Sequence, residues 1–143
     1  AVEKDSYTIN KFNEKLKEEL KFMSYFKPMY ISALTGQRTH NVLATLEEAY
    51  NNSNQRIATG ILNDVLQDAM SVNEPPNYNG KKLRVYYTTQ VSVCPPTFAM
   101  FVNDETIMHF SYKRYLENAL RKAFDFSGTP ISIKVRNKNR DDI

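Results

Sequence analysis

Three stretches of this sequence concentrate the side chains that bind phosphate. Lys81, Lys82 and Arg84 stand together at the start of a predicted strand. Lys113, Arg114, Arg121 and Lys122 share the polar side of a predicted helix, and Lys134, Arg136, Lys138 and Arg140 run through the C-terminal end. Ammonium and guanidinium groups grouped in this way contact nucleic-acid backbones and displace their counterions. The same charges also suit a plain solvated face, or contact with another protein domain. The excess is modest: from Thr59 onward 11 lysines and arginines face 9 aspartates and glutamates, and the whole 143-residue chain carries +3. A dedicated electrostatic binder shows a stronger excess or a tighter patch.

Catalytic and metal chemistry finds less support. His40 and His109 are the two histidines, and neither has a second His or Cys at metal-ligand spacing. A structural role for His109, such as capping the helix that begins near Ser111, fits better than catalysis. The single cysteine, Cys94, sits beside Pro95-Pro96 at a predicted turn and reads as a small apolar residue. One cysteine allows no intramolecular disulfide, which suits a reducing cytosol. The pairs Glu47-Glu48 and Asp141-Asp142 read as surface charges, not as an acid–base dyad. The sequence contains no G-x-x-x-x-G-K-[ST] phosphate loop and no Asn-Lys-x-Asp, and no Asp-x-x-Gly metal segment is expected. The chain by itself is therefore expected not to be an enzyme, and no cofactor is expected in it.

The elements that must position these residues can be read from periodicity. Hydrophobic residues make up 41% of the chain, enough for a packed core, and no apolar run approaches a membrane span. Ile9, Phe12, Leu16 and Leu20 predict a helix from Thr8 to about Met23, with Asp5 and Ser6 as capping residues. Pro28 ends that region, and Met29–Ala33 reads as a short buried strand. Residues 34–38 form a loop, and Val42, Leu43, Leu46, Ala49 and Tyr50 predict a second helix. A polar stretch, Asn51 to Gln55, reads as the end of that helix and a linker. Beyond it, Thr59 can cap a helix carrying Ile61, Leu62, Val65, Leu66, Ala69 and Met70. Glu74–Gly80 is a loop, and Lys82–Val91 and Thr97–Val102 are strands, expected to be antiparallel. A short helical turn opens at Asn103–Glu105. The strongest stripe is Tyr112, Tyr115, Leu116, Ala119, Leu120, Ala123 and Phe124, a helix from Ser111 with Gly128 past its end. Its aromatic residues could stack bases, but their helical spacing assigns them to the core. Ile131–Val135 is the last strand, and the tail from Arg136 is polar.

The second half thus reads α-β-β-α-α-β, an α+β unit of three strands with helices on one face. Several segments carry a resemblance. Lys82 to Val91, Pro95-Pro96-Thr97-Phe98 running into Phe101-Val102-Asn103-Asp104, His109-Phe110-Ser111-Tyr112, Tyr115-Leu116-Glu117-Asn118 and Phe126 to Ile131 stand in the order and spacing of Der (EngA)-type bacterial GTPases. The first half resembles the same family, since Tyr30-Ile31-Ser32-Ala33-Leu34-Thr35-Gly36 looks like its last guanine-recognition motif. The opening residues, Ala1 to Asp5, resemble the stretch just after that family's Asn-Lys-x-Asp motif and read like the interior of a longer chain.

The resemblance implies two parts: residues 1–54 as the C-terminal remnant of a GTPase domain, and residues 55–143 as a type II KH-like domain. It implies that the backbone of Ser32, Ala33 and Leu34 approaches guanine, with GTP and Mg belonging to the full-length family. It implies the large ribosomal subunit or its RNA, and the GTPase domains of the same protein, as partners. The expected setting is cytoplasmic and ribosome-associated, with no membrane partner. Candidate RNA or ribosome contacts are Lys81, Lys82, Arg84, Lys113, Arg114, Arg121, Lys122, Lys134 and Arg136. A KH domain usually grips a single strand through a Gly-x-x-Gly loop, and Asp104–Tyr112 contains no glycine. A second reading stays open, an intramolecular regulatory module that docks on GTPase domains with little RNA affinity. A remnant strand at Met29–Ala33 is expected to pack on the KH-like part or to pair with another copy.

Overall fold

The computed structural model describes residues 6–138. The capping role expected of Asp5, the basic Arg140 and the Asp141-Asp142 pair lie outside the described residues. Along the chain come α1 (Ser6–Glu19), α2 (Asn41–Ser53), α3 (Thr59–Val72), β1 (Asn77–Tyr78), β2 (Lys81–Lys82), β3 (Val85–Val93), β4 (Pro96–Val102), a 3-10 turn (Glu105–Ile107), α4 (Phe110–Ala123) and β5 (Ser132–Asn137).

The three longer strands form one sheet in the order β3-β4-β5. β3 and β4 pair antiparallel, and β4 and β5 pair parallel across the 3-10 turn and α4. Strand alternation then sorts the side chains. Phe98, Met100 and Val102 point from β4 into the core, together with Thr88 of β3 and Ile133 of β5. α3 and α4 cover that face. Leu62 and Leu66 of α3 meet Leu116 and Leu120 of α4, all of them buried, and each such leucine contributes about 1.5–3 kcal/mol by leaving water. The hydroxyl of Tyr112 donates to Asn73 O (2.9 Å) and that of Tyr115 to Ala69 O (2.7 Å), so two core tyrosines also close the C-terminal end of α3. These rings belong to the core, as their spacing implied.

Every buried hydrophobic residue among the described ones lies at Ile57 or beyond, whereas eight of the fifteen exposed large hydrophobics fall between Tyr7 and Tyr50. The first third of the chain is therefore an attachment to the core and not a contributor to it. It attaches through residues 21–25 and 49–55. Gly128 N donates to Tyr25 O (2.9 Å), Arg121 lies 4.7 Å from the centre of the Tyr25 ring, and Asn52 Nδ2 donates to Ser127 O (3.0 Å).

The strand expected at Met29–Ala33 is a correction. These residues run without strand pairing, Ile31 and Ala33 are exposed, and the described contacts onto the core come from other residues. An apolar run becomes a strand only beside a second strand, and no described strand lies alongside this one. Two smaller corrections concern caps. α3 begins after Ala58 with no side-chain cap, and Thr59 lies within the helix. His109 does occupy the N-cap position of α4, but its side chain makes no capping hydrogen bond and meets the Tyr78 ring edge-on at 6.2 Å. The loop expected over residues 74–80 contains a miniature ribbon. Asn79 and Gly80 both have positive φ (51° and 76°), the conformation of a two-residue hairpin turn, and pair β1 with β2.

Gly128 is the glycine on which the attachment depends. Its φ is +75°, and an added Cβ would stand 3.1 Å from Ala49 Cβ of α2. Gly128→Ala is expected to cost about 1–2 kcal/mol from the left-handed backbone alone, plus the crowding of α2. Adding Ala49→Gly should recover only the crowding part. Urea denaturation of the two variants separates the terms, and full recovery in the double variant would show that the backbone conformation costs nothing.

Candidate functional site

The three basic stretches meet different fates. Lys81 Nζ is paired with Asp104 Oδ2 (2.9 Å) and Lys82 Nζ with Glu74 Oε2 (2.7 Å), both at the surface. Asp104 also accepts from the Thr106 hydroxyl and N–H, capping the 3-10 turn. The Thr106 hydroxyl, then Lys81, hold the Asp104 carboxyl down at about 2. Arg84 is exposed, and its N–H donates to Asn103 Oδ1 (2.8 Å).

On α4 the four basic residues divide. Arg121 is half-buried and donates to Phe126 O (3.2 Å) and Thr129 O (3.0 Å) while covering Tyr25. Arg114 donates to Lys21 O (3.0 Å). Both hold the first third of the chain, or the turn that receives it, against α4. Lys122 is exposed. Glu117 lies among Lys113, Arg114 and Arg121, yet burial pushes its carboxyl upward against their opposing pull.

Lys113 is the α4 residue that joins residues from elsewhere. It lines a cleft of about 450 Å³ with Glu105, Met108 and the run Ser132–Arg136. The cleft lies between the 3-10 turn, the first turns of α4 and β5, and β5 is an edge strand. Lys113, Lys134 and Arg136 therefore line one cleft along a strand edge, part of which, at Ile133, is already bonded by the Glu117 carboxylate. Glu105 supplies a carboxylate to the same cleft. Lys81, Lys82, Arg84, Arg114, Arg121 and Lys122 do not line it.

The opposite edge of the sheet is occupied at Thr88 and Ser92. Asn63 of α3 accepts from Thr88 N (2.7 Å) and donates to Thr88 O (2.8 Å), as a neighbouring strand would. Next to it the Gln90 side chain accepts from Ile57 N (2.8 Å) and donates to Gln55 O (2.8 Å) and Ser92 O (3.1 Å).

The other chemistry-bearing residues stay apart. Cys94 is exposed at the β3–β4 turn, with Sγ 3.7 Å from Ser53 Oγ, so it is not packed as a core residue. No group of three metal-binding side chains occurs among the described residues. Asp125-Phe126-Ser127-Gly128 does spell Asp-x-x-Gly, contrary to expectation. It forms the turn after α4, where Asp125 Oδ1 accepts from Ser127 N (3.0 Å). At Ser32-Ala33-Leu34, Ser32 Oγ accepts from Thr35 N (3.3 Å), Ser32 N donates to Gln37 O (3.1 Å) and Leu34 is exposed. This tight turn leaves the Ala33 and Leu34 side chains exposed. No helix among the described residues is long and apolar enough to cross a membrane.

Comparison with known proteins places this arrangement. Residues 56–136 match the family described as KH-domain-like of EngA bacterial GTPase enzymes, C-terminal. Over 135 residues the chain is 50% identical to the GTPase Der of Clostridium perfringens, covering 94% of this chain and 31% of that protein. The GTPase Der of Clostridium botulinum strain Hall is 52% identical over 137 residues, and that of Leuconostoc citreum 49% over 136 residues. The chain spans about 31% of the length of these curated relatives.

Proposed function

Because the chain belongs to the family of C-terminal KH-like domains of EngA bacterial GTPases, we propose that it serves as the accessory module of a tandem-domain GTPase of large-subunit assembly. Its KH-like part contacts ribosomal RNA, in a cytoplasmic, ribosome-associated setting. Residues up to 54 are the end of a GTPase domain, and Ser32, Ala33 and Leu34 are its guanine turn. GTP and Mg are held by parts of the full-length protein that this sequence does not contain.

The observation that carries the RNA reading is that Lys113, Lys134 and Arg136 line one cleft at the β5 edge. Asp104–Tyr112 lacks the glycines with which KH domains bring their backbone against phosphates. Here side-chain cations take over that contact. The expected ligand is a single-stranded segment whose phosphates meet the three cations.

The test is binding of the chain to purified large ribosomal subunits across a salt titration. With Lys113→Glu, Lys134→Glu and Arg136→Glu together, the slope of log affinity against log salt should become shallower by about 2, as three single-strand phosphate contacts require. Lys122→Glu changes an exposed charge outside the cleft and should act weakly. No binding by the unaltered chain at low salt would instead favour a module that docks on GTPase domains.

A further inference from the structure

The sheet has a second face. Helices cover the side that carries Phe98, Met100 and Ile133, and strand register places Tyr87 opposite Phe101, Thr89 opposite Ala99, Ala99 opposite Lys134 and Phe101 opposite Arg136 on the other. Tyr87 and Phe101 stack there, with ring centres 4.6 Å apart and planes 20° from parallel. A β-bulge between Val85 and Tyr87 brings Tyr86 to the same side. Lys138 Nζ then lies 5.1 Å from the Tyr86 ring centre and 5.7 Å from that of Tyr87. Tyr86 is 50% exposed and Tyr87 37% exposed.

Two properties of this face select a partner. β3, β4 and β5 contain no aspartate or glutamate, while Lys134, Arg136 and Lys138 border the rings. The positions beside the rings along the strands, Thr89 and Ala99, are small. They lie about 7 Å along each strand from the aromatic pair and are half-buried. An aromatic pair with flanking cations, on strands that carry no carboxylate, suits a single-stranded nucleic acid, whose bases stack on rings and whose phosphates seek cations. A duplex offers no free base face to such a pair.

We infer that this open sheet face is a stacking platform for unpaired bases of single-stranded RNA. The strand passes around the β5 edge, where Lys134 and Arg136 belong both to the cleft and to the platform. The inference rests on the reading of the cleft as an RNA site, but it adds a separate surface with separate residues.

The experiment measures binding of a 5′-labelled ten-nucleotide oligoadenylate to the full chain by fluorescence anisotropy at fixed salt. Tyr87→Ala should weaken binding about 5- to 100-fold, the range for losing one stacked base, with the salt slope unchanged. Tyr87→Phe keeps the ring and should bind like the unaltered chain. Thermal unfolding of each variant checks that the sheet persists, and Tyr86→Ala on the bulge gives a second ring removal if Tyr87→Ala does not fold. If Lys113→Glu weakens binding and the ring removals do not, the platform is wrong and the cleft reading stands. If the ring removals weaken binding and Lys113→Glu does not, the platform stands and the cleft reading falls. If the unaltered chain does not bind the oligonucleotide at low salt, or binds a duplex of that length as tightly, the platform is overturned.

Discussion

Phe98→Ala is expected to lower the free energy of unfolding by about 3–5 kcal/mol. Phe98 is wholly buried on β4, the central strand, between Gln90 and Ile133 in the register, and its ring meets Phe126 edge-on at 6.2 Å. Truncation removes the ring's transfer energy and leaves a cavity between a sheet and two helices, where the neighbours cannot close in freely. For a domain of this size such a loss takes a large part of the total stability. Phe126 also anchors the turn at 126–129, to which Arg121 and Asn52 bond, so the first third of the chain should detach more easily. Urea denaturation should show a lower midpoint with an unchanged slope. A loss below about 1 kcal/mol would mean that the core repacks around the missing ring, against the close packing described.

The second large effect concerns a polar side chain. Gln90→Met keeps the length and most of the volume of Gln90 but removes all three of its hydrogen bonds. Ile57 N–H is buried and has Gln90 Oε1 as its acceptor, while Gln55 O and Ser92 O lose a donor. Leaving buried polar groups unmatched costs about 1–3 kcal/mol each, less where water can return. The expected loss is about 2–4 kcal/mol in all. Hydrogen exchange should place the change, because the Ile57 amide loses protection while the amides of β4 and β5 fall only with global stability. Uniform loss across the chain with Ile57 unchanged would show that Gln90 is not its acceptor in solution.

Much of the fold can be read from periodicity. The α4 stripe from Tyr112 to Phe124, the strands on either side of Pro95-Pro96, the helical turn after Asn103 and the final strand each have a local pattern that also satisfies the tertiary structure. Met29–Ala33 shows the limit. Its apolar run is as strand-like as any, but pairing depends on a neighbour that the run cannot encode. The ribbon at residues 77–82 carries the signal Asn79-Gly80, which the two prolines before it obscure.

The site is less legible for a related reason. Lys81 and Lys82 look like a free basic pair until Asp104, 23 residues away, and Glu74 neutralise them. Arg114 and Arg121 look like their neighbours Lys113 and Lys122, yet carbonyls brought in by the fold hold them. The pairing of Tyr87 with Phe101 depends on a bulge that shifts the register by one residue, and no alternation rule announces it. Asn63 and Gln90 have ordinary polar surroundings in the sequence. Their roles appear only when α3 and the 55–57 stretch lie along β3.

The contact of Asn63 with β3 has a consequence for self-association. A sheet with two bare edges can add copies at both ends without limit, which is the geometry of a fibril. Here the β3 edge is met at Thr88 by a side-chain amide of the same molecule, which makes β5 the better receiver of a neighbour among the described strands. Two copies that met edge to edge would join β5 to β5 about a two-fold axis. The resulting pair would present β3 at both margins with Asn63 set across Thr88, which opposes further growth.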